Sequence, residues 1–426
     1  MATPYTYSNS SVFNELFKPI LEFYPQSARQ YDCPKLTDLD FLEMGVMRCL
    51  SDSQTGRDFL QRHADNGRKE VSVDHFFTSL KSERRLANVR SINHFLSAPV
   101  AKACPDPLKD ISELSNFEIY AGDGHYHQAA CHDKKQPTAK GTMRSVPVGH
   151  FFMLNMRTHY LRHLAFAHHE NAPWRKGEHD MHALKRAEID DLRDHAPKGR
   201  QVIIVWDKAG IDFRFWQNAK QRHGLYFISR EKSNMELEVL GNKPIDSNDL
   251  RNCGVIADQL VGTASGTLLR RVIYVDPVSG EEYSFLTTEM NLPPGVIALL
   301  YKHRWDIEKV FDELKTKLVE KKAWASSPTG KTMQAVFLCI THNLMMLIEA
   351  KIAAHENLSD TAEPERRRKR KEILEKAGKA NYVATAIQRL TQRTLKFIRW
   401  LRNFAYQDVS WHHAVARLTR IYQVFS

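Results

Sequence analysis

The sequence predicts an α/β protein whose strand-and-helix core is interrupted by a β-rich insertion and flanked by helical regions at both ends. Three observations carry this reading. No convincing strand pattern occurs in residues 1–110. Beyond them, Phe117-Glu118-Ile119-Tyr120-Ala121-Gly122-Asp123 alternates, and Val202-Ile203-Ile204-Val205-Trp206 is continuously apolar before Asp207. The first pattern is that of a strand with one face buried, and the second that of a strand buried on both faces. Finally, residues 301–315, YKHRWDIEKVFDELK, repeat with a helical period.

The elements follow in order. Residues 1–110 form the helical N-terminal region, with Thr37-Asp38-Leu39-Asp40 reading as a capped helix start. Residues 73–96 mix Phe76, Phe77, Leu80, Leu86 and Val89 with Lys81, Arg84, Arg85 and Arg90. That basic side, Arg84 and Arg85 foremost, either contacts DNA or is a solvated face, and the sequence leaves both open. Residues 111–229 are the first part of the core: the Asp123 strand, strand-like runs in 148–166, a polar helix in 178–195, the Asp207 strand, a helix in 213–222 and a strand at 225–229. Residues 230–292 are the insertion, short β-rich pieces such as MELEVL, TLLRRVIYV and EYSFLTT separated by turn residues. Residues 293–350 are the second part of the core, opened by Pro293-Pro294-Gly295 and containing an apolar helix at 335–348 that reads as buried. Residues 351–426 are a basic, helical C-terminal region.

Composition bounds the function. The 426-residue chain is 42% apolar and 10% aromatic, enough for a sizeable core. Its net charge of +11 and pI near 9.2 favour a polyanionic partner. The six cysteines stand singly with no CxxC pair, which suits reduced thiols in a cytosol. No apolar run marks a secretory leader in the first thirty residues, and residues 335–348 are too short for a membrane span and include His342 and Asn343. No membrane partner is expected.

Chemistry concentrates in a few residues. Tyr301, Arg304, Glu308 and Lys315 fall within roughly 60° of one another on a helix turning about 100° per residue. A carboxylate flanked by a phenol, a guanidinium and an ammonium suits a phosphodiester carrying a metal ion. Asp123 and Asp207 stand at strand ends, where ligands of open α/β sheets gather. Acids crowded there need an offsetting charge. A pair of magnesium ions supplies it with the oxygen ligands such ions prefer, and can drive an in-line phosphoryl displacement. Each element also has a plainer reading: Asp123 as a turn residue between glycines, Asp207 as a helix cap, Glu308 as one rung of a surface ladder alongside Asp306, Asp312 and Glu313.

Taken together, these residues resemble those of insertion-sequence transposases of the DDE type, in the group marked by a Tyr-Arg-Glu-Lys signature (the insertion-sequence-four group). The spacing Tyr-x2-Arg-x3-Glu-x6-Lys is met by Tyr301, Arg304, Glu308 and Lys315. The likeness also takes in the DGH segment at Asp123, VIIVWD at Asp207 and the insertion, and spans residues 70–350. It implies a ribonuclease-H-like core in which Asp123, Asp207 and Glu308 are catalytic and bind two Mg²⁺ (or Mn²⁺) ions. It further implies hydrolysis at transposon ends, then attack of the freed 3′-hydroxyl on target DNA, a cut-and-paste reaction. Tyr301, Arg304 and Lys315 would hold phosphates of double-stranded DNA. A homodimer in a synaptic complex, with the terminal helices as contact sites, and a cytoplasmic, nucleoid-associated location complete the expectation.

One departure stands out. Some relatives stabilise an extruded base on a Trp of the insertion, and residues 225–290 contain none. Trp324 either stacks on a base or packs. The histidines near Asp123 read as bystanders, and His179-x2-His182 is a weak zinc pattern. The tract Arg366-Arg367-Arg368-Lys369-Arg370-Lys371 either meets DNA or is solvated. The rivals to a transposase are a non-catalytic DNA-binding or inhibitor protein derived from one and a nuclease of the same fold without strand transfer, with a carbohydrate hydrolase far behind.

Overall fold

The computed structural model describes residues 11–24, 35–137, 141–167, 180–194, 196, 199–318, 322–358, 362–386 and 395–424. Before the first strand lie helices α1 (Val12–Phe23), α2 (Asp38–Leu50), α3 (Gly56–Asp65), α4 (Val73–Ser79), α5 (Glu83–Phe95) and α6 (Ser97–Ala103). The start of α2 is a capping box, with the Thr37 side chain accepting from the Asp40 amide and the Asp40 carboxylate accepting from the Thr37 amide.

Nine strands form one mixed sheet. The first of them in the chain, β1 (Phe117–His127), is third in the sheet order. A two-stranded ribbon, β2 (Gln136–Pro137) and β3 (Met143–Arg144), interrupts the path to β4 (Val148–Asn155) and β5 (Leu161–Phe166). β4 pairs antiparallel with β1, and β5 with β4. Two helices, α7 (Asp180–Arg186) and α8 (Ile189–Arg193), replace the single polar helix the sequence predicts. Then β6 (Gln201–Trp206) pairs parallel with β1, and α9 (Phe213–His223) leads to β7 (Leu225–Arg230), parallel to β6.

The strands of residues 230–292 do not form a sheet of their own. They are β8 (Glu238–Asn242), β9 (Val255–Gly262), β10 (Leu268–Val275) and β11 (Glu282–Thr287), and β11 pairs antiparallel with β7. The full order is β5-β4-β1-β6-β7-β11-β10-β9-β8. The insertion therefore extends the core sheet by edge addition, which satisfies the open hydrogen-bonding edge of β7.

Both faces of the sheet are covered, as the unbroken apolar run of β6 requires. One face presents Ile119, Ala121, Ile203 and Val205 to the larger core, which includes the N-terminal helices and α12 (Pro328–Glu356). The other presents Val202, Ile204 and Trp206 to α7, α8 and α9. By length and composition α12 could cross a membrane, and it is longer than the sequence suggests. Here it is a core helix against α2, α5 and β5. Its buried Asn343 accepts from the Leu161 amide at 2.9 Å and donates to Asn93 and the Leu161 carbonyl. That answers the polar residue that argued against a span.

Between sheet and core helix run α10 (Pro294–His303) and α11 (Trp305–Asp312), followed by a π-helical turn, Glu313–Lys317. Residues 301–315 are thus not one straight helix. The backbone breaks at Arg304 and widens after Asp312, and π turns are frequent at functional sites. The chain continues in α13 (Ala362–Lys376), α14 (Tyr382–Thr385), α15 (Leu395–Tyr406) and α16 (Trp411–Val424).

Gly122 pairs with Trp206 on the face away from Asp123. A Cβ there would lie 2.0 Å from the buried indole, whose other edge is already tight against Gly210. Gly122→Ala should therefore cost on the order of 1–3 kcal/mol or more through overpacking. Thermal unfolding checks this; an unchanged Tm would show that Trp206 can move.

Candidate active site

Two parallel strands of unequal length create the site. β6 stops at Trp206, level with Gly122, whereas β1 runs on to His127 against β4. Asp123 is therefore inside a strand, not at its end or in a turn as the sequence suggested. It is the first residue of β1 beyond the parallel ladder, and Asp207 is the first residue beyond β6. Strand alternation puts both on the face of Ala121 and Val205, where α11 packs on β1. Each carboxylate has one oxygen held locally: Asp123 Oδ1 accepts from the Gly124 amide at 2.8 Å, and Asp207 Oδ1 accepts from the Ala209 amide at 2.5 Å. Asp207 is thus also the cap its plainer reading proposed, at the start of a 3₁₀ turn over Lys208–Gly210.

Arg304, at the α10–α11 break, ties the third acid to the first. Its guanidinium donates to Asp123 Oδ2 at 3.3 Å and to Glu308 Oε1 at 2.7 Å. The arginine side chain is only 5% exposed, against 21% for Asp123 and 31% for Glu308. Burial opposes the charge on Arg304, but Tyr301, Asp123 and Glu308 outweigh it and hold its pKa above the ordinary value. The Arg304 guanidinium lies 5.5 Å from the Tyr301 ring centre. Burial raises the Tyr301 phenol, Arg304 pulls it down, and Asp207 pushes it up again, with a net rise. Tyr301 is the group through which Asp207 joins the cluster electrostatically.

The three acids share a sheet end and a face, but not an ion-sized pocket. Among the described residues, no three His, Cys, Asp or Glu side chains converge closely enough to hold one metal ion. The donor set still fits a hard divalent cation, because it consists of carboxylate oxygens from three elements. Asp123 and Glu308 are at present spanned by a guanidinium of one positive charge.

Asp306, which competes with Glu308 in the sequence, has another task. It is buried, with Oδ2 at 3.7 Å from His159 Nε2 and 3.5 Å from His303 Nδ1, and Oδ1 at 3.3 Å from Lys309 Nζ. Burial works against its charge, but the two imidazoles hold its carboxyl well below the usual range. Asp306 fastens α11 to the β4–β5 turn and points Glu308 the other way. Of the other competitors, Asp312 is exposed and Glu313 is buried.

The remaining predicted residues separate. Lys315 is exposed on the π turn, seven residues beyond Glu308. Trp324 packs: its ring lies 6.2 Å from Phe337, and the Arg48 guanidinium sits 4.3 Å above it. The expectation of an outward-facing basic side at Arg84 and Arg85 is corrected. Arg84 donates to both Asp38 oxygens, and buried Arg85 donates to the Leu36 carbonyl at 2.7 Å and lies 3.3 Å from Asp38. Both serve helix packing. In α13, Arg368 and Lys371 face Glu372 and Glu375 one turn on at 3.7 Å, as on a solvated helix. His179 lies outside the described residues.

His125, His127, His150 and His163 make a buried aromatic cluster with Phe152 and Phe311. His150 Nδ1 is 3.0 Å from His163 Nε2. Burial pulls His150 well below the ordinary value and His163 to about 3, so both pack as neutral rings. One residue escaped the sequence reading. Trp305, beside Arg304, is 52% exposed with its ring 5.7 Å from that guanidinium. The sequence reading weighed the insertion and Trp324 as aromatic platforms and passed over the indole adjoining the signature arginine.

Comparison with known proteins bears on the class of the chain. Residues 175–344 match the family model described as "Transposase DDE domain". The matched span contains Asp207, Tyr301, Arg304, Glu308 and Lys315, and leaves out Asp123. A curated protein of Sinorhizobium fredii (strain NBRC 101917 / NGR234), "Putative transposase y4zB", is 26% identical over 160 residues. That alignment covers 35% of this chain and 45% of the relative, so the chain spans less than half of its length. Among solved structures, the piggyBac transposase synaptic complex with hairpin DNA overlays 96% of this chain and 82% of its own, with a TM-score of 0.41 and 10% identity. That likeness is too distant to argue from.

The two acids of α11 make opposite demands on stability. Asp306→Ala should cost roughly 3–5 kcal/mol, because it strands buried partners. Glu308→Ala should change stability little, since Arg304 keeps Asp123. Chemical denaturation of both variants tests this, and equal losses would make Glu308 a structural acid.

Proposed function

We propose that this protein is a DNA transposase of the DDE type, cutting at transposon ends and joining the freed 3′-hydroxyl to target DNA. The observation that carries the reading is the Arg304 bridge. Acids 185 residues apart in sequence are held on one cation at the sheet end where Asp207's strand stops. Such crowding of charge is costly for a fold and useful for a site. The transposase-domain match over residues 175–344 supports the same class. The order β5-β4-β1-β6-β7, antiparallel on one side of β1 and parallel on the other, supports a ribonuclease-H-like core extended by β11-β10-β9-β8.

Asp123, Asp207 and Glu308 are the residues that would hold two Mg²⁺ or Mn²⁺ ions. When bound, these would activate the attacking water or hydroxyl and stabilise the leaving oxygen. The protein's own groups position the DNA. Arg304 has a second use, because its buried Nε has no hydrogen-bond partner in the structure. A phosphate can take that donor, and the guanidinium fork suits phosphate geometry. Tyr301 stays a neutral phenol, able to donate to a phosphate oxygen. Lys315, exposed on the π turn, reaches toward a backbone phosphate as a point charge, and exposed Trp305 offers a π-face. The net charge of +11 favours the polyanion throughout. The protein acts on double-stranded DNA as a homodimer, in the cytoplasm at the nucleoid.

The deciding experiment uses duplex DNA carrying the inverted repeats that flank the reading frame. Wild type should nick it with Mg²⁺. Asp207→Asn and Glu308→Gln should lower the rate by three or more orders of magnitude, on the order of 4 kcal/mol in the barrier, while still shifting the DNA. A wild type that shifts but never nicks would be a binding protein. Nicking without joined products would make it a nuclease.

Lys315→Ala should weaken DNA binding and make the dependence of log K on log salt shallower by about one unit, as one phosphate contact is lost. An unchanged slope returns Lys315 to the solvated surface.

A further inference from the structure

A groove of about 740 Å³ lies between the N-terminal helices and the segment just past the π turn. Its volume falls within the roughly 300–1,000 Å³ of sites that hold a small ligand. Arg48 of α2 forms its floor. The Arg48 guanidinium stacks 4.3 Å from the Trp324 ring centre, with Phe76 and Phe77 at 5.5 and 5.6 Å. Its Nη1 is sealed from solvent and has no hydrogen-bond partner, and among the described residues no carboxylate pairs with it. Burial lowers its pKa to about 9, the signature of a cation left without compensation.

An unpaired buried cation is expensive, and three aromatic faces only partly offset it. The usual remedy, a carboxylate, is what Arg85 has in the neighbouring helix through Asp38. Among the described residues the walls of the groove add Lys81, Lys322 and Arg57, against one acid, Asp74. Gly56, the first residue of α3, contributes the absence of a side chain: a Cβ would lie 2.5 Å from Phe77 and 3.2 Å from Arg48 Nη1. The α3 N-terminus therefore presents its amides beside the cation, which favours an anion. Continuity with the candidate active site is direct. The Ala323 amide on the wall donates to the carbonyl of Gln128, one residue beyond the strand carrying Asp123.

We propose that this groove binds an unpaired nucleotide of a DNA strand, its phosphate on Arg48 and the two lysines and its base against Phe77. The proposal rests on the DNA reading above and adds a site to it. A duplex is too wide for the groove, and a bare phosphate would leave its aromatic wall unused. A single nucleotide uses the cation and the π-faces together.

Anisotropy of a short dye-labelled oligothymidylate, titrated with the full chain without metal, tests it. Arg48→Met should weaken binding at least about tenfold, since a charged hydrogen bond is lost. The same variant should keep or raise the Tm, because it removes a buried unpaired charge. Unchanged affinity overturns the proposal, and so does a weaker affinity that merely follows a collapse in Tm. Should Arg48→Met not fold, the rim variants Lys81→Gln and Lys322→Gln together take its place: loss of affinity supports the groove, and none refutes it. Thymidine monophosphate competing as well as the oligonucleotide would mean a free nucleotide is bound, and the strand assignment falls. Nicking of end-bearing duplex with Mg²⁺ reads the active site separately. A chain that binds the oligonucleotide through Arg48 yet never nicks would sink the transposase reading and leave the groove.

Discussion

One guanidinium holds this molecule's chemistry together. Arg304 is nearly inaccessible, yet it faces Asp123 on β1 and Glu308 on α11. Without it, the two carboxylates it spans would have no cation between them, and like charges at close range repel. With it, α11 can lie against β1. The arrangement is a charge balance that a fold alone would not need. Apolar residues on β1 and α11 would pack as well and cost less desolvation.

The balance depends on how α10 and α11 are fixed. Upstream, Arg270 on β10 is fully buried between both oxygens of Asp258, at 2.8 Å each, and the Leu292 carbonyl at 2.7 Å. Glu289 accepts from the amides of Asn291 and Leu292 at 2.8 and 2.7 Å. The turn that launches α10 is therefore set by the outer half of the sheet. Gly295 pushes this further: a Cβ there would meet the Arg251 carbonyl at 1.8 Å, so the helix start rests directly on the insertion's backbone. Downstream, Asp306 fastens α11 to His159, whose backbone lies at φ 60°, and whose carbonyl is 3.1 Å from His342 Nε2 of α12. The β-rich segment thus has a mechanical role in placing Glu308, consistent with its being continuous with the core sheet.

Much of this was legible in the sequence because it is written in local patterns. The apolar run of β6, the alternation of β1 and the Thr37 capping box are short-range signals. β6 came out within a residue, adding Gln201, whereas β1 runs four residues past Asp123. That overrun was hidden because Gly122 and Gly124 look like turn residues, whereas pairing with Met153 and Phe151 keeps them extended. The kink at Arg304 and the π turn were hidden too. A periodicity count assumes an even 100° per residue, and tertiary contacts reset the phase twice. Sequence spacing could rank Glu308 with Asp306 as candidates, but only packing separates them, since one carboxylate meets two buried imidazoles and the other meets Arg304.

The buried arginines show where sequence reasoning ends and structure begins. Arg85, Arg157, Arg270, Arg304 and Arg48 are the same residue type in similarly mixed surroundings. Arg85 faces Asp38, Arg157 faces Asp106 and the Phe117 carbonyl, and Arg270 faces Asp258, so each of these closes its own charge within the fold. Among the described residues, Arg304 is paired only by two acids that the proposed chemistry would recruit, and Arg48 is paired by none. A cation that folding has paid to bury without an internal counterion implies a counterion from outside. Charge pairing divides the two that look toward a ligand from Arg85, Arg157 and Arg270, which look toward the core, and buried Arg162, 3.2 Å from Asp194, falls with the latter. Arg304 stands at the α10–α11 break, ahead of the π turn, and Arg48 on α2 packs against Trp324 in the segment after that turn. A bound phosphate at each place would supply the missing counterion, which is why an α/β core can leave positive charge unspent there.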